Sequence, residues 1–280
     1  MAVTKNDSSE AIKDLQRLLN KLGSLLLVDG DFGHSTETAV FDVRKALKLP
    51  PSGEADDALV AALQALPEPS QELTAAGVTF IGLEEVSSPA LYRQKYRFPE
   101  WPGPNSGITI GIGYDLKFVD RGKLESDWGA LLEAATIARL AAVSGKTGSE
   151  ALLDQVKDIE IPLPAAVRVY LERMLPDHVA NTRRAYPKLD TLPPHRRTAL
   201  ISLVLNRGGS LQDEPGDPLQ RRREMRQIRQ LLDTGDLNAI ADQLDSMARL
   251  WNQVSERGLI ERRHREANLW RNGFVALQLA

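Results

Sequence analysis

Residues 107–115 contain a hydroxyl and a carboxylate whose types suit hydrolytic chemistry. In a straight strand, Thr109 and Asp115 would lie about 20 Å apart, at about 3.3 Å per residue. The Gly111-Ile112-Gly113 sequence between them is a turn signal. We therefore expect the chain to reverse near Ile112 and to make Thr109 and Asp115 cross-strand neighbours, with Cβ atoms about 4.5–5.5 Å apart. A hydroxyl and a carboxylate on one face of a hairpin could hold a water molecule.

A second carboxylate is available at the end of an upstream helix. Glu84 and Glu85 close an apolar helical pattern over residues 74–86. Adjacent helical residues point about 100° apart, so only one of the two would face the hairpin. Glycoside hydrolysis needs two carboxyl groups, one of which is protonated and donates to the leaving oxygen. The helix C-terminus and partial burial would both favour a protonated carboxyl there.

The chain divides at the proline-containing segment Pro67-Glu68-Pro69-Ser70, which interrupts a helical pattern. We predict an N-terminal module over residues 1–66, a linker over 67–73 and a larger domain over 74–280. The module reads as three helices. The first is capped by Ser8 or Ser9 and ended by Gly23, the second starts at Ser35 or Thr36, and the third covers about residues 56–66.

The larger domain is predicted to be dominated by helices. Its first helix covers about residues 74–86, a proline-rich irregular stretch follows, and the only strand-like alternation lies at residues 108–116. From about Leu124 onward the pattern is mostly helical. The expected fold class is therefore mainly α, an α+β arrangement with one small β-hairpin early in this domain.

Composition excludes several chemistries. The chain has 280 residues, no cysteine and a formal net charge of -3. The lack of cysteine excludes disulfides, thiolate zinc sites and cysteine nucleophiles. The four histidines show no helical i, i+4 pairing, so we expect neither a metal nor another cofactor. The charge balance gives no sign of nucleic-acid binding, and no apolar run approaches the ~18 residues of a membrane span.

The N-terminal module resembles the three-helix peptidoglycan-binding domain. The resemblance implies peptidoglycan as the partner, with Asp29, Phe32 and Thr36 as wall-binding residues. The alternative is a helical mini-domain that only docks on its neighbour. The matching residues, in the order and spacing of that family, are Leu15-Gln16, Leu19-Asn20, Leu22-Gly23, Val28-Asp29-Gly30, Phe32-Gly33, Thr36 and Ala39-Val40.

The larger domain resembles the phage-type lysozymes. A glutamate at a helix end, a tyrosine seven residues later (Glu85 to Tyr92) and then Thr-Ile-Gly-Ile-Gly carry this resemblance. In the pesticin-like branch an aspartate follows the threonine by six residues, which is the place of Asp115. The resemblance implies a lysozyme-like domain with a hairpin lobe and a helical lobe. It also implies Glu85 as general acid, Thr109 as the water-positioning hydroxyl and Asp115 as the second carboxylate.

Later segments extend the resemblance. Residues 196–208 look like the long central helix of the lysozyme fold, and residues 258–266 look like its closing helix. Candidate substrate-binding residues, taken from the aromatic positions, the hairpin and the end of the central helix, are Tyr92, Ser106, Tyr114, Asn206 and Arg207.

The resemblance as a whole is to modular phage endolysins. It implies a muramidase that cleaves the β-1,4 bond between N-acetylmuramic acid and N-acetylglucosamine. The first ten residues lack an apolar signal core, so we expect synthesis in the host cytoplasm and action on the wall after release by another factor. We expect a monomer. The alternatives are a lytic transglycosylase, a secreted antibacterial effector and a wall-binding protein without catalysis.

Overall fold

The computed structural model describes residues 2–274 and is mostly helical, with 58% helix and 3% strand. The predicted fold class, mainly α with a small β-hairpin, is confirmed. The helices in chain order are α1 Ser9–Asn20, α2 His34–Ala46, α3 Asp57–Gln64, α4 Ala75–Val86, α5 Pro89–Leu91, α6 Arg121–Trp128, α7 Ala134–Val143, α8 Glu150–Leu153, α9 Leu163–Val169, α10 Leu175–Ala185, α11 Pro194–Arg207, α12 Arg223–Thr234, α13 Ile240–Ser246 and α14 Arg257–Asn272.

The chain forms two compact units that are not continuous in sequence. Unit 1 comprises Met1–Gln71 and Glu85–Met174, and unit 2 comprises Glu72–Glu84 and Leu175–Ala280. The helix α4 therefore contributes to both. Short 3-10 or π segments join the longer helices at Tyr92–Tyr96, Leu116–Phe118, Tyr170–Met174, Leu189–Thr191 and Met247–Leu250.

The N-terminal part of unit 1 is the expected three-helix module. The Ser8 side chain accepts a hydrogen bond from the Ala11 amide at the start of α1, and Asp56 does the same for Leu59 at the start of α3. Gly23 follows α1 with a φ of 75°, a conformation that favours glycine. The apolar faces of the three helices enclose one core, which includes Ile12, Leu15, Leu19, Val40, Val43, Leu59 and Leu63.

The module packs against later residues of unit 1. Asp42 on α2 forms an ion pair with Arg93, with 2.6 Å between Oδ2 and Nη2. A Cβ atom at Gly23 would lie 2.5 Å from the Val167 side chain, so the glycine permits a close approach to α9. The linker predicted at residues 67–73 lies where unit 1 gives way to unit 2, at Gln71, but unit 1 resumes at Glu85.

The β-hairpin consists of β1 (Thr109–Ile110) and β2 (Tyr114–Asp115), paired antiparallel. Gly111 and Gly113 have φ values of 57° and 68°, so both glycines of the turn occupy the left-handed region. The antiparallel pairing confirms the predicted chain reversal near Ile112. Glycine makes this turn possible, because it adopts such conformations at little cost.

Unit 2 consists mainly of helices, and its interior is both apolar and charged. Ala199, Leu200 and Leu203 of α11 are fully buried together with Ala267 of α14. The α14 residues Arg263 and Glu266 are also fully buried, so this core contains charged groups that must be paired.

Candidate functional site

Thr109 and Asp115 lie directly opposite each other in the hairpin. The amide of Leu116 donates to the carbonyl of Ile108 at 2.9 Å, which makes Thr109 and Asp115 a pair without hydrogen bonds between their own backbones. In such pairs the Cα atoms are about 4.5 Å apart and the side chains leave the same face. The cross-strand relation expected from the sequence is therefore present.

The Asp115 carboxylate is occupied by backbone groups. Its Oδ1 accepts hydrogen bonds from the amides of Gly107 at 3.0 Å and Lys117 at 2.8 Å, and its Oδ2 lies 3.2 Å from the Gly107 amide. The Lys117 contact caps the 3-10 segment Leu116–Phe118. A Cβ atom at Gly107 would lie 2.5 Å from Asp115 Oδ1, so this clamp requires glycine.

Glu100 lies on the other side of Thr109 and was not identified from the sequence. Its amide donates to the Thr109 carbonyl at 3.0 Å, and the Thr109 amide donates to the Glu100 carbonyl at 2.8 Å. Thr109 is thus flanked by two acidic residues. The sequence could not reveal this pairing, because a single bridge in a proline-rich stretch produces no periodic pattern. The one available signal was an acidic residue close before the Thr-Ile-Gly run.

The two glutamates at the end of α4 have different surroundings. Glu84 is in unit 2, where its side chain is 5% exposed and its two oxygens lie 2.6 and 2.9 Å from Arg265. Arg262 is 3.8 Å from the same carboxylate. Glu85 is the first residue of the second segment of unit 1 and is half-buried in the last turn of α4. Ser87, with a φ of 63°, follows Val86, the last residue of the helix.

Tyr92 and Tyr114 are interior residues, which corrects the expectation that their rings stack on sugars. Tyr92 is 0% exposed, and its hydroxyl donates to the Ile161 carbonyl at 3.0 Å. Tyr114 is buried, donates to Asp127 Oδ2 at 2.7 Å and meets the Trp128 ring edge-on. Burial raises the pKa of both phenols above the ordinary value. Neither ring presents a face to solvent.

The other predicted substrate contacts remain partly accessible. Ser106 is half-buried, and its carbonyl accepts a hydrogen bond from the Gly148 amide at 2.9 Å. Asn206 and Arg207 are half-buried at the C-terminal end of α11 in unit 2. The Arg207 guanidinium lies 5.1 Å from the centre of the Trp251 ring. Burial, followed by the neighbouring Arg222 cation, lowers the pKa of Arg207 to about 10.

The module residues predicted to bind the wall serve the module's own fold. Phe32 is 6% exposed in the core, and Thr36 is 2% exposed. The Gln16 amide donates to Asp29 Oδ1 at 2.7 Å and lies 3.2 Å from Thr36 Oγ1. The loop between α1 and α2 is therefore fixed by this network. Because the side chains of Phe32 and Thr36 are buried, their burial argues against direct contact with a glycan polymer.

Neither a metal cluster nor a spanning helix is found in the part of the chain that the structure describes. Within residues 2–274, no group of three or more His, Asp or Glu side chains is placed to hold a metal ion. The helices in the same range are all too short or too polar to cross a bilayer.

Comparison with known proteins identifies one part of the chain. Residues 8–63 match the family described as "Putative peptidoglycan binding domain". The match covers α1, α2, the connecting loops and all but the last residue of α3. A search of curated proteins found no match. The chain therefore carries a peptidoglycan-binding module at residues 8–63, which makes peptidoglycan its partner.

Proposed function

We propose that this chain is a peptidoglycan hydrolase whose N-terminal module binds the wall and whose remaining residues cleave the glycan. The bond cleaved is the β-1,4 linkage between N-acetylmuramic acid and N-acetylglucosamine. The observation that carries the proposal is the position of Thr109 in the hairpin, directly opposite Asp115 on one side and Glu100 on the other, in a chain whose residues 8–63 match a peptidoglycan-binding family. A hydroxyl beside carboxylates is suited to holding the water that attacks a sugar carbon.

Glu85 is the general acid in this proposal. Glu84 is engaged on both oxygens by Arg265 within unit 2, so its carboxylate serves an ion pair. Glu85 belongs to unit 1, the unit that also contains Thr109 and Asp115. In the reaction, the Glu85 proton passes to the glycosidic oxygen as the bond to C1 breaks, the water oxygen forms the new bond to C1, and one proton of that water passes to the second carboxylate. The second carboxylate is one of the two acidic residues that flank Thr109, of which the sequence predicts Asp115.

Attachment to the wall raises the rate of repeated cleavage. When the module is bound to the wall, the catalytic residues stay close to the glycan. They then encounter the next glycosidic bond at a high effective concentration, which no longer depends on diffusion from bulk solution. We further propose that the chain works as a phage endolysin, made in the cytoplasm and given access to the wall by another factor. Delivery as an antibacterial effector would use the same chemistry.

The proposal is tested by digesting purified peptidoglycan with the wild-type chain and with Glu85→Gln. The wild type is expected to release soluble fragments with new reducing ends. Glu85→Gln removes the proton donor and is expected to lower kcat by roughly 10²–10⁴. A wild-type chain that releases no reducing ends from any wall type would refute the proposal.

A further inference from the structure

Three side chains form a row across the hairpin face. Glu100 and Thr109 exchange both backbone hydrogen bonds, at 3.0 and 2.8 Å, and Thr109 lies opposite Asp115 on its other side. Directly opposed residues of antiparallel strands project from the same face. The order Glu100, Thr109, Asp115 therefore places Thr109 between two carboxylates, with Cα separations of about 5.5 and 4.5 Å respectively.

The two carboxylates of this row, those of Asp115 and Glu100, differ in the contacts that they make. Both oxygens of Asp115 face the Gly107 amide, and Oδ1 also accepts from Lys117, so this side chain clamps the backbone on each side of the hairpin. Glu100 is half-buried. Within residues 2–274 its carboxylate makes no hydrogen bond or ion pair with another protein group. A half-buried carboxylate beside a threonine hydroxyl, without a structural partner, is available for substrate or water.

We propose that Glu100 is a catalytic residue, the second carboxylate of the hydrolysis, and that Asp115 acts as the backbone clamp of the hairpin. The inference rests on the proposed function. The Thr109 hydroxyl and the Glu100 carboxylate together hold the water. As the water oxygen bonds to C1, one of its protons passes to Glu100, the C1–O glycosidic bond breaks, and the leaving oxygen takes the proton of Glu85. Both carboxyl groups are restored when each exchanges a proton with solvent.

The assignment rests on the contacts that the carboxylates of Asp115 and Glu100 already make within the protein. The Asp115 carboxylate could turn toward a water molecule only by breaking the contacts that cap the 3-10 segment Leu116–Phe118 and hold the Gly107 amide. Glu100 has no such contact to lose. Its side chain is also one methylene longer, so its oxygens extend further from the sheet face than those of an aspartate.

The test uses the full chain on purified peptidoglycan, with kcat from reducing ends and Tm from thermal unfolding. Glu100→Gln is expected to lower kcat by roughly 10²–10⁴ without changing Tm. Asp115→Asn is expected to lower Tm and to lower kcat less. Glu133→Gln is the matched control. It makes the same change at an exposed residue of the same unit whose side chain makes no cap hydrogen bond to α7, and it should leave kcat unchanged.

Rescue by a small anion separates a catalytic carboxylate from a structural one. Sodium formate is expected to restore part of the kcat of Glu100→Ala, because it can occupy the space beside Thr109, and to give no rescue of Asp115→Ala. Wild-type kcat in Glu100→Gln, or rescue of Asp115→Ala alone, would overturn the assignment while leaving the proposed function standing. Absence of reducing ends from the wild-type chain would overturn both.

Discussion

At the scale of single residues, the two adjacent glutamates at the end of α4 belong to different units of the chain. Glu84 is almost fully buried and paired with Arg265 and Arg262. Glu85, one position later, belongs to the unit that contains the hairpin. The sequence predicted that only one of the pair would face the hairpin, because neighbouring helical residues diverge by about 100°. Helix geometry alone could not say which, since both have the same chemistry, and Glu85 was named by the resemblance to phage-type lysozymes.

We therefore expect that replacing Glu84 lowers the free energy of unfolding. Glu84→Gln leaves the Arg265 guanidinium without its bidentate partner, and we expect a loss of about 1.5–3 kcal/mol in the free energy of unfolding. Chemical denaturation measures this change. The control is Glu261→Gln, which removes an exposed i, i+4 pair with Arg257 and should cost less than about 0.5 kcal/mol. Equal losses in the two variants would contradict a structural role for Glu84.

His195 gives the structure a defined pH dependence. Burial, followed by the neighbouring Arg196 cation, lowers the pKa of His195 from its ordinary value. The unfolded chain therefore binds a proton at higher pH than the folded chain, so stability falls as pH drops from about 6.5 toward the folded pKa. His195→Gln should flatten this part of the stability profile between pH 7.5 and 5.5, measured by urea denaturation, whereas His34→Gln at an exposed site should not. An unchanged slope in His195→Gln would disprove the assignment.

The aromatic residues show what residue type alone leaves open. The sequence suggested Tyr92 and Tyr114 as sugar contacts, yet both hydroxyls are bonded inside the protein. A tyrosine combines an apolar ring with a polar tip, which suits a core as well as a binding cleft. Only the partners of the hydroxyl decide between the two, and Ile161 lies far from Tyr92 in sequence.

At the scale of elements, the hairpin was predictable because its signal is local. Gly111 and Gly113 bracket the turn, and their positive φ values are the conformations that such a turn needs. The position of Glu100 was not predictable in the same way. It joins Thr109 through one bridge across the proline-containing segment 101–108, and neither periodicity nor turn chemistry specifies that register. The same limit applies to the clamp of Gly107 by Asp115.

The Gly107 clamp predicts a sensitive glycine. Gly107→Ala would place a Cβ atom 2.5 Å from Asp115 Oδ1 and from the Lys117 backbone nitrogen. We expect a loss of about 1–3 kcal/mol, typical of overpacking, together with a lower kcat as the hairpin face shifts. Thermal unfolding and reducing-end release measure the two effects.

Gly122→Ala is the matched control for that substitution. A Cβ atom at Gly122 has 3.5 Å to its nearest neighbour, Asp120 Oδ1, and the residue lies within α6. Alanine there should stabilise the chain by roughly 0.5–1 kcal/mol. Wild-type stability and activity in Gly107→Ala would show that the clamp is dispensable.

At the scale of the whole molecule, wall binding and catalysis are assigned to separate sets of residues. The module over residues 8–63 matches a peptidoglycan-binding family, whereas the proposed catalytic groups lie in the second segment of unit 1. The three helices of the module were predictable from caps and apolar spacing. Its packing within unit 1, through Asp42 and Arg93, was not, because a single ion pair across 51 residues leaves no pattern in the sequence.

This separation predicts that binding survives the loss of catalysis. Glu85→Gln should sediment with purified walls to the same extent as the wild-type chain, and neither should sediment with cellulose. A co-sedimentation assay at matched protein concentrations measures the bound fraction. Release of Glu85→Gln into the supernatant, with its Tm unchanged, would mean that wall retention depends on the proposed catalytic site and not on the module.

Hydrolysis of the muramic acid linkage and its elimination leave different product ends, and the chemistry of those ends separates the two reactions. Purified peptidoglycan is digested with the wild-type chain, and fragment masses are determined before and after borohydride reduction. The account predicts N-acetylmuramic acid ends that gain two hydrogens on reduction. Anhydro-muramic ends that resist reduction would contradict it and identify a lytic transglycosylase instead.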